Sequence, residues 1–332
     1  MNTRVLGRTG LEVSELALGG LFVSSVGSEY EGAKQAIDRA LELGITYIDT
    51  APGYANSEEV LGRALEGVSA HADGPLVLST KLGGRPKPFD PRDRDALLRS
   101  VEMSLGLLKR DTVDILMIHE PDRPGQYDWW TDMEAYDGPV MGVLSTLKKQ
   151  GLVRWTGLGG TTAYQLARIM KTGTFDVVLT AFNYSLLWRE AEHEVLPAAR
   201  EQEMGVVIGS PLQQGALARR YDEEIAAKPL WLSEPRRRQY QALYRLVDEI
   251  GMPLPELALR FVLSNPDVSC ALTGARSAAE VEANVAAAER GPLPADVLAR
   301  LDEIAAMVPF RPTHEPFFPP FGRDWKGPGA AS

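Results

Sequence analysis

The chain has 332 residues with 44% hydrophobic content, which is enough to bury the core of one large α/β domain or two smaller ones. Its formal net charge of −10, without any run of like charges, argues against nucleic acid and an anionic membrane surface as partners. Cys270 is the only cysteine, which excludes an intrachain disulfide. Neither a signal-peptide core nor an apolar run of about 18 residues is present, so we expect a cytoplasmic protein. Homo-oligomer formation is compatible with these features.

Short apolar runs that are typical of buried strands recur along the chain. Before them, residues 1–14 contain two short alternating pieces about a turn at 8–10, which predicts an N-terminal β-hairpin that plugs the bottom of the main fold. Eight apolar runs follow, at residues 15–20, 45–49, 76–81, 113–119, 154–159, 175–182, 204–210 and 268–274. Segments with helical spacing separate them, which implies parallel strands with helical crossovers. We therefore predict a single (β/α)₈ barrel domain over residues 1–332, rather than an open doubly wound sheet.

Two connections are longer than this repeat requires, and long connections are often functional. Residues 120–138 follow the fourth strand and contain Trp129 and Trp130, which either wall a substrate pocket or pack within their own loop. Residues 211–233 follow the seventh strand. We expect both loops on the catalytic side of the barrel.

The C-terminal tail, residues 309–332, combines prolines with phenylalanines. The prolines exclude a helix, whereas Phe317, Phe318 and Phe321 favour burial. A tail that lies over the barrel mouth, with Phe318 in the substrate pocket, satisfies both conditions.

Four polar residues stand at or just beyond the carboxyl ends of predicted strands: Asp49, Tyr54, Lys81 and His119. Each one alone has an ordinary structural explanation, but in a parallel barrel these ends meet at one face, where barrel enzymes have their active sites. A lysine cation lowers the pKa of a neighbouring tyrosine, a carboxylate keeps that lysine charged, and a histidine can orient a carbonyl oxygen. The four residues therefore predict general acid–base chemistry on a C=O group.

The segments IDTAPGYANSEEVLG, STK and MIHEPD resemble the three signature regions of the aldo-keto reductases in order and spacing, and the likeness covers almost the whole chain. The resemblance implies that Tyr54 is the general acid or base, that Lys81 and Asp49 lower its pKa, and that His119 orients the substrate. It also implies hydride transfer between a bound nicotinamide and a small carbonyl compound or sugar, without a metal.

Two more segments are similar to cofactor-binding regions of that family, and a glycine-bearing loop that leads into a helix N-terminus is suited to phosphate. One follows the seventh strand (210–217) and the other follows the eighth (273–285). The resemblance implies cofactor contacts from Ser210, Pro211, Leu212, Gln214, Gly215, Arg220, Gly274, Arg276, Glu280 and Asn284.

The sequence departs from the family pattern where the nicotinamide carboxamide is usually held. Gly159 and Gly160 replace the usual Ser or Asn pair, and Ala181 replaces the usual Gln, so Asn183 or a backbone carbonyl is expected to substitute. An apolar residue at 181 is similar to the branch of aldose and galactose dehydrogenases. That resemblance implies sugar-like substrates and the oxidative direction.

Charged residues near the predicted cofactor site give conflicting indications for NADP(H) and NAD(H). Arg276 and Arg220 can pair with a 2′-phosphate and favour NADP(H), whereas a carboxylate at Glu280 favours NAD(H). However, Ser277 and Glu280 have the spacing of a capping box, in which the glutamate folds back to the backbone N–H of the N-cap residue. We therefore expect NADP(H), with NAD(H) as the second cofactor.

Two other functions compete with an oxidoreductase. Channel-associated relatives of the family suggest a non-catalytic nicotinamide-binding regulatory subunit, against which the complete set of four residues argues. A Schiff-base lyase would use Lys81 as the nucleophile, but the nearby Asp49 raises the pKa of a lysine instead of lowering it.

Overall fold

The structure is a computed structural model that describes residues 1–69, 76–85, 87–311, 315–316 and 318–323. In this part of the chain the strands are β1 (Thr3–Val5), β2 (Glu12–Ser14), β3 (Leu16–Gly19), β4 (Tyr47–Asp49), β5 (Val77–Leu82), β6 (Val113–His119), β7 (Val153–Gly160), β8 (Val177–Ala181), β9 (Gly205–Gly209) and β10 (Cys270–Gly274). The α-helices are α1 (Tyr30–Glu42), α2 (Ser57–Ala64), α3 (Arg94–Leu108), α4 (Pro139–Lys149), α5 (Ala163–Met170), α6 (Glu190–His193), α7 (Val195–Glu201), α8 (Asp222–Ala226), α9 (Glu234–Ile250), α10 (Leu254–Leu263), α11 (Ala278–Glu289) and α12 (Ala295–Ala306).

Strands β3 to β10 form a closed parallel barrel in sequence order, with β10 paired to β3. Most of their residues are buried on both faces, which explains why the strands read as continuous apolar runs. One set of side chains fills the barrel interior, including Tyr47, Val77, Met117 and Val207, and the alternate set packs under the helices. The predicted (β/α)₈ fold is confirmed, and each predicted run overlaps one observed strand.

The N-terminal hairpin, β1 and β2, closes the amino-terminal end of the barrel as predicted. Leu6, Leu11 and Val13 are buried in the same cluster as the interior side chains. Gly7 has φ +52°, and a Cβ there would lie 2.1 Å from the backbone nitrogen of Gly205, the first residue of β9. Only glycine therefore allows the hairpin to approach the barrel this closely.

The long loops after β6 and β9 are present as predicted, and the second of them contains the short helix α8. The described part of the tail packs against elements at the carboxyl-terminal face. Phe318 contacts Phe182, just after β8, edge to face at 5.4 Å, and Phe321 stacks on Tyr221 of the β9 loop at 4.4 Å. The predicted burial of Phe317 lies outside the described residues.

The tail is also attached to α9 by charge. Glu315 and Arg236 form an ion pair of 2.9 Å in which both side chains are almost completely buried. Within the described ranges, no helix has the length and apolar character needed to cross a membrane.

Candidate active site

Lys81 and Asp49 form a buried ion pair at the carboxyl ends of β5 and β4. The Nζ atom of Lys81 donates to Oδ2 of Asp49 at 2.5 Å and to the carbonyl oxygen of Thr50 at 2.8 Å. Ser79 donates to the other oxygen of Asp49 at 2.6 Å. Burial alone would lower the pKa of Lys81, but Asp49 and Tyr54 raise the pKa above its usual value. Lys81 is therefore a fixed cation.

Tyr54 lies in the turn between β4 and α2, above this ion pair. Its backbone N–H donates to Ala51 at 3.1 Å, and the Nζ atom of Lys81 is 4.7 Å from the centre of its ring. Burial raises the pKa of Tyr54, the charge of Lys81 opposes this effect, and Asp49 and Glu120 add to it. Lys81 lowers the pKa of Tyr54, as the sequence predicted, but burial outweighs this contribution and the net pKa is raised. The phenol is thus a proton donor at neutral pH.

His119, the last residue of β6, faces Tyr54 edge to face, with 5.8 Å between the ring centres. Burial and the charge of Lys81 lower the pKa of His119 to about 3. Its Nδ1 atom is buried and has no hydrogen-bond partner among the described residues. A neutral imidazole keeps one N–H donor, which is the form that can orient a carbonyl oxygen.

The two tryptophans of the loop after β6 differ in their surroundings. Trp129 is fully buried, donates from Nε1 to the carbonyl oxygen of His119 at 3.0 Å, and packs against Tyr127 and Phe89. Trp130 packs on Tyr136 and donates to a backbone carbonyl of its own loop. Trp129 thus supports the wall beside His119, whereas Trp130 stabilises the loop itself.

Of the predicted pocket residues, Phe318 keeps more than a third of its surface exposed.

The glycines at the end of β7 leave room for neighbouring side chains. A Cβ at Gly159 would lie 3.3 Å from Cε of Lys81, and a Cβ at Gly160 would lie 2.7 Å from Oδ1 of Asp122. Asp122 accepts hydrogen bonds from the backbone N–H groups of Thr161 and Thr162, which orders the turn into α5. Sequence reasoning missed Asp122, although the motif MIHEPD contains it.

The predicted substitute for the missing carboxamide ligands is already engaged. Asn183 is buried and donates from its amide to Oγ1 of Thr180 at 2.8 Å. One of the two amide N–H groups of Asn183 is therefore engaged by β8, and the second N–H and the oxygen remain to contact a ligand.

The loop after β9 has an unusual backbone. Ser210, Gln213 and Gln214 have φ of 56°, 47° and 55°, values that non-glycine residues rarely adopt, and Gly215 has φ of 97°. Gln213 is fully buried, and neither polar atom of its amide has a partner among the described residues. Backbone strain of this kind is concentrated at ligand-binding segments. Pro211 and Leu212 lie at the same bend, buried and partly buried.

The segment between β10 and α11 contains Arg276, the residue predicted to bind the 2′-phosphate. The guanidinium of Arg276 lies 5.0 Å from the ring centre of Phe22 and forms no ion pair with a described residue. Glu280 accepts from the backbone N–H of Arg276 at 2.8 Å, and Ser277 accepts from the N–H of Glu280 at 3.3 Å. The capping box is present, except that the glutamate bonds one residue before the N-cap. Gly274 leaves space for Phe22, because a Cβ there would lie 2.2 Å from the ring.

Arg220 and Asn284 complete the predicted set. Arg220 pairs with Asp222 at 2.6 Å and also with Asp248, so two carboxylates already neutralise its charge. Asn284 is half-buried on α11. A dinucleotide fits this face, because the strained β9 loop offers an unpartnered amide and Arg276 offers a cation without a carboxylate partner.

A closed parallel barrel with titratable side chains at the carboxyl ends of its strands is the architecture of (β/α)₈ barrel enzymes. Residues 15–306 match the sequence profile of the aldo/keto reductase family. The chain therefore belongs to this family and is an oxidoreductase of its type, as the resemblance predicted. Members of the family generally use a nicotinamide dinucleotide.

Three relatives illustrate the range of the family. The chain is 29% identical to L-galactose dehydrogenase of Arabidopsis thaliana over 297 residues, which cover 86% of this chain and 87% of the relative. It is 28% identical to the NADH-specific methylglyoxal reductase of Escherichia coli over 321 residues, or 85% and 92% of the two chains. It is 26% identical to a probable voltage-gated potassium channel subunit beta of Arabidopsis thaliana over 338 residues, or 94% and 99%.

Proposed function

We propose that this protein interconverts a small aldehyde, ketone or sugar and the corresponding alcohol, with a bound nicotinamide dinucleotide as redox partner. The observation that carries the proposal is the buried pair of Lys81 and Asp49 beside Tyr54 and a neutral His119. This arrangement combines one phenol proton donor with one fixed cation and one neutral N–H donor. Reduction of a carbonyl group needs a proton donor in addition to a hydride source, and the cation and the second donor assist the proton transfer.

Each side chain has a defined part in moving the proton. In the reductive direction the hydroxyl of Tyr54 donates its proton to the carbonyl oxygen, and in the oxidative direction the phenolate takes it back. Lys81 stabilises the phenolate, and Asp49 keeps Lys81 charged and in place. The N–H of His119 donates to the same carbonyl oxygen and orients it. The nicotinamide, when bound, supplies or accepts the hydride.

NADP(H) is the favoured cofactor in this proposal. The guanidinium of Arg276 is exposed and has no carboxylate partner among the described residues, so it can pair with a 2′-phosphate. Glu280 is bonded to backbone N–H and is less available to the ribose hydroxyls. Arg220 contributes less than the sequence predicted, because Asp222 and Asp248 hold it.

Aldoses and small aldehydes are the substrate classes to test first. A dehydrogenase of L-galactose and a reductase of methylglyoxal are both relatives of this chain, and Ala181 at the end of β8 is similar to the sugar dehydrogenase branch. We expect turnover of a neutral sugar or aldehyde.

A substrate panel tests the proposal directly. Aldoses, aldehydes, ketones and the matching alcohols are each combined with NADPH, NADH, NADP⁺ and NAD⁺, and absorbance of the reduced nicotinamide is followed. The matched control is Tyr54→Phe, which preserves the ring but removes the proton. Turnover by the wild type that the control loses supports the proposal, and equal turnover by both contradicts it.

A binding role remains the second candidate, because relatives include a probable channel subunit. It predicts nicotinamide binding by fluorescence without turnover of any substrate in the panel. Schiff-base chemistry at Lys81 predicts covalent trapping of a carbonyl substrate by borohydride. The ion pair with Asp49 argues against it, since a nucleophilic lysine must be neutral.

A further inference from the structure

Glu120, the residue directly after His119, has a backbone conformation that is unusual for a glutamate. Its φ is 52°, in the left-handed region that non-glycine residues rarely occupy. Its backbone N–H donates to the carbonyl oxygen of Gly159 at 2.7 Å, which ties the ends of β6 and β7 together. A strained glutamate beside a candidate catalytic histidine suggests a function for its side chain.

The carboxylate of Glu120 is largely buried, with 13% of the side chain exposed. Its Oε2 atom accepts from Oγ1 of Thr161 at 2.8 Å, and the guanidinium of Arg123 is 3.6 Å away but about half exposed. Oε1 accepts no hydrogen bond from a residue in the described ranges. One oxygen is therefore anchored, and the other is left for a donor from outside the protein.

This carboxylate acts electrostatically on the candidate catalytic groups. Burial is the main cause that raises the pKa of Tyr54 and of Tyr127. The charge of Glu120 adds a smaller contribution in the same direction to both. In turn, burial raises the pKa of Glu120, and the hydroxyl of Thr161, Arg123 and Lys81 oppose that shift. The geometry agrees with this, because Glu120 is bonded to the backbone of Gly159, and a Cβ at Gly159 would lie only 3.3 Å from Cε of Lys81.

We propose that Glu120 determines substrate charge: its carboxylate accepts a hydrogen bond from a hydroxyl group of a neutral polyhydroxy or hydroxy carbonyl substrate and disfavours substrates that carry a carboxylate. The inference rests on the proposed oxidoreductase function and names the substrate class of the same site. A second carboxylate in a poorly hydrated pocket would face like-charge repulsion, and the two nearest cations are already paired, Lys81 with Asp49 and Arg123 with Glu120 itself. A hydroxyl group instead gains a charge-assisted hydrogen bond.

A purely structural role is the alternative, in which Glu120 only holds Thr161 and the loop after β7. Glu120→Gln separates the two, because glutamine keeps the shape and the acceptor oxygen but loses the charge. Thr161→Ala does the opposite, because it removes the hydrogen bond and leaves the charge. Glu134→Gln is the matched control, since Glu134 is an exposed glutamate of the same loop.

The assay compares kcat/KM for matched neutral and anionic substrates, such as galactose with galacturonate and hydroxyacetone with pyruvate. We expect E120Q to raise the ratio of anionic to neutral kcat/KM by about tenfold or more, which is about 1.4 kcal/mol. T161A and E134Q should leave this ratio within about twofold of the wild type. E120Q should also lower the kinetic pKa of Tyr54, because one of the charges that raise it is removed. If E120Q does not fold, Glu120→Asn provides the same neutralisation.

An unchanged ratio in E120Q, or an equal change in T161A, overturns the inference and assigns Glu120 a structural role. A wild type that turns over no carbonyl or alcohol with any nicotinamide overturns the proposed function instead. Cofactor dissociation constants, measured by quenching of protein fluorescence, should be the same in the wild type and E120Q. A loss of cofactor binding in E120Q would contradict a role confined to the substrate.

Discussion

Lys81→Met tests the ion pair on which the candidate active site depends. Lys81 and Asp49 are 1% and 0% exposed, and the variant removes the bond of 2.5 Å to Asp49 and the bond of 2.8 Å to Thr50. Methionine fills a similar volume, so the main effect is a buried carboxylate that keeps only the hydrogen bond from Ser79. Breaking such a pair costs about 3–5 kcal/mol of unfolding free energy. Because Asp49 keeps its hydrogen bond from Ser79, we expect a loss near the lower end, about 3 kcal/mol.

A surface pair provides the matched control. Lys34 and Asp38 of α1 also have an N–O distance of 2.5 Å, but their side chains are 40% and 43% exposed. Water screens these charges, so Lys34→Met should change stability much less than Lys81→Met. The double variant Lys81→Met with Asp49→Asn should recover part of the loss, because no charge is then left buried and unpaired.

Urea unfolding followed by the fluorescence of the six tryptophans measures these differences. The kinetic pKa of Tyr54 should also rise in Lys81→Met, because the lysine charge opposes the effect of burial. Equal losses for the two lysine variants would refute the reasoning. A double variant that is less stable than both single variants would refute it as well.

Three further predictions follow from the same site. Tyr54→Phe should lower kcat by more than about a hundredfold with little change in cofactor affinity, since general acid–base catalysis contributes about 10²–10⁴; lost dinucleotide binding with retained turnover would contradict this role. Arg276→Ala should weaken NADP(H) binding by about 1.5–3 kcal/mol in fluorescence titrations and leave NAD(H) almost unaltered; equal losses would show that Arg276 does not bind the 2′-phosphate. The pKa of His119 is about 3 in the folded chain, whereas an unperturbed histidine has about 6.5, so the unfolded chain takes up a proton first as pH falls. His119→Asn should therefore reduce the loss of stability between about pH 6.5 and about pH 3, and thermal unfolding curves that keep the same pH dependence would contradict this pKa.

The sequence by itself determined the architecture and the membership of the candidate catalytic set. Continuous apolar runs alternating with helical segments specify parallel strands buried on both faces. In such a barrel all strands end at one face, so residues at strand ends, such as Asp49, Lys81 and His119, must converge whatever the details of packing. Their convergence is a consequence of topology, which sequence periodicity reports.

The charge state and availability of each side chain were decided only by the tertiary structure. Arg220 reads as a phosphate ligand in the sequence, but Asp248 comes from α9, far along the chain, and helps to neutralise it. The pKa of Tyr54 is raised instead of lowered because the depth of burial outweighs one nearby cation. Trp129 and Trp130 are adjacent in sequence yet serve different surfaces. Burial and pairing depend on distances between segments remote in sequence, which local pattern does not encode.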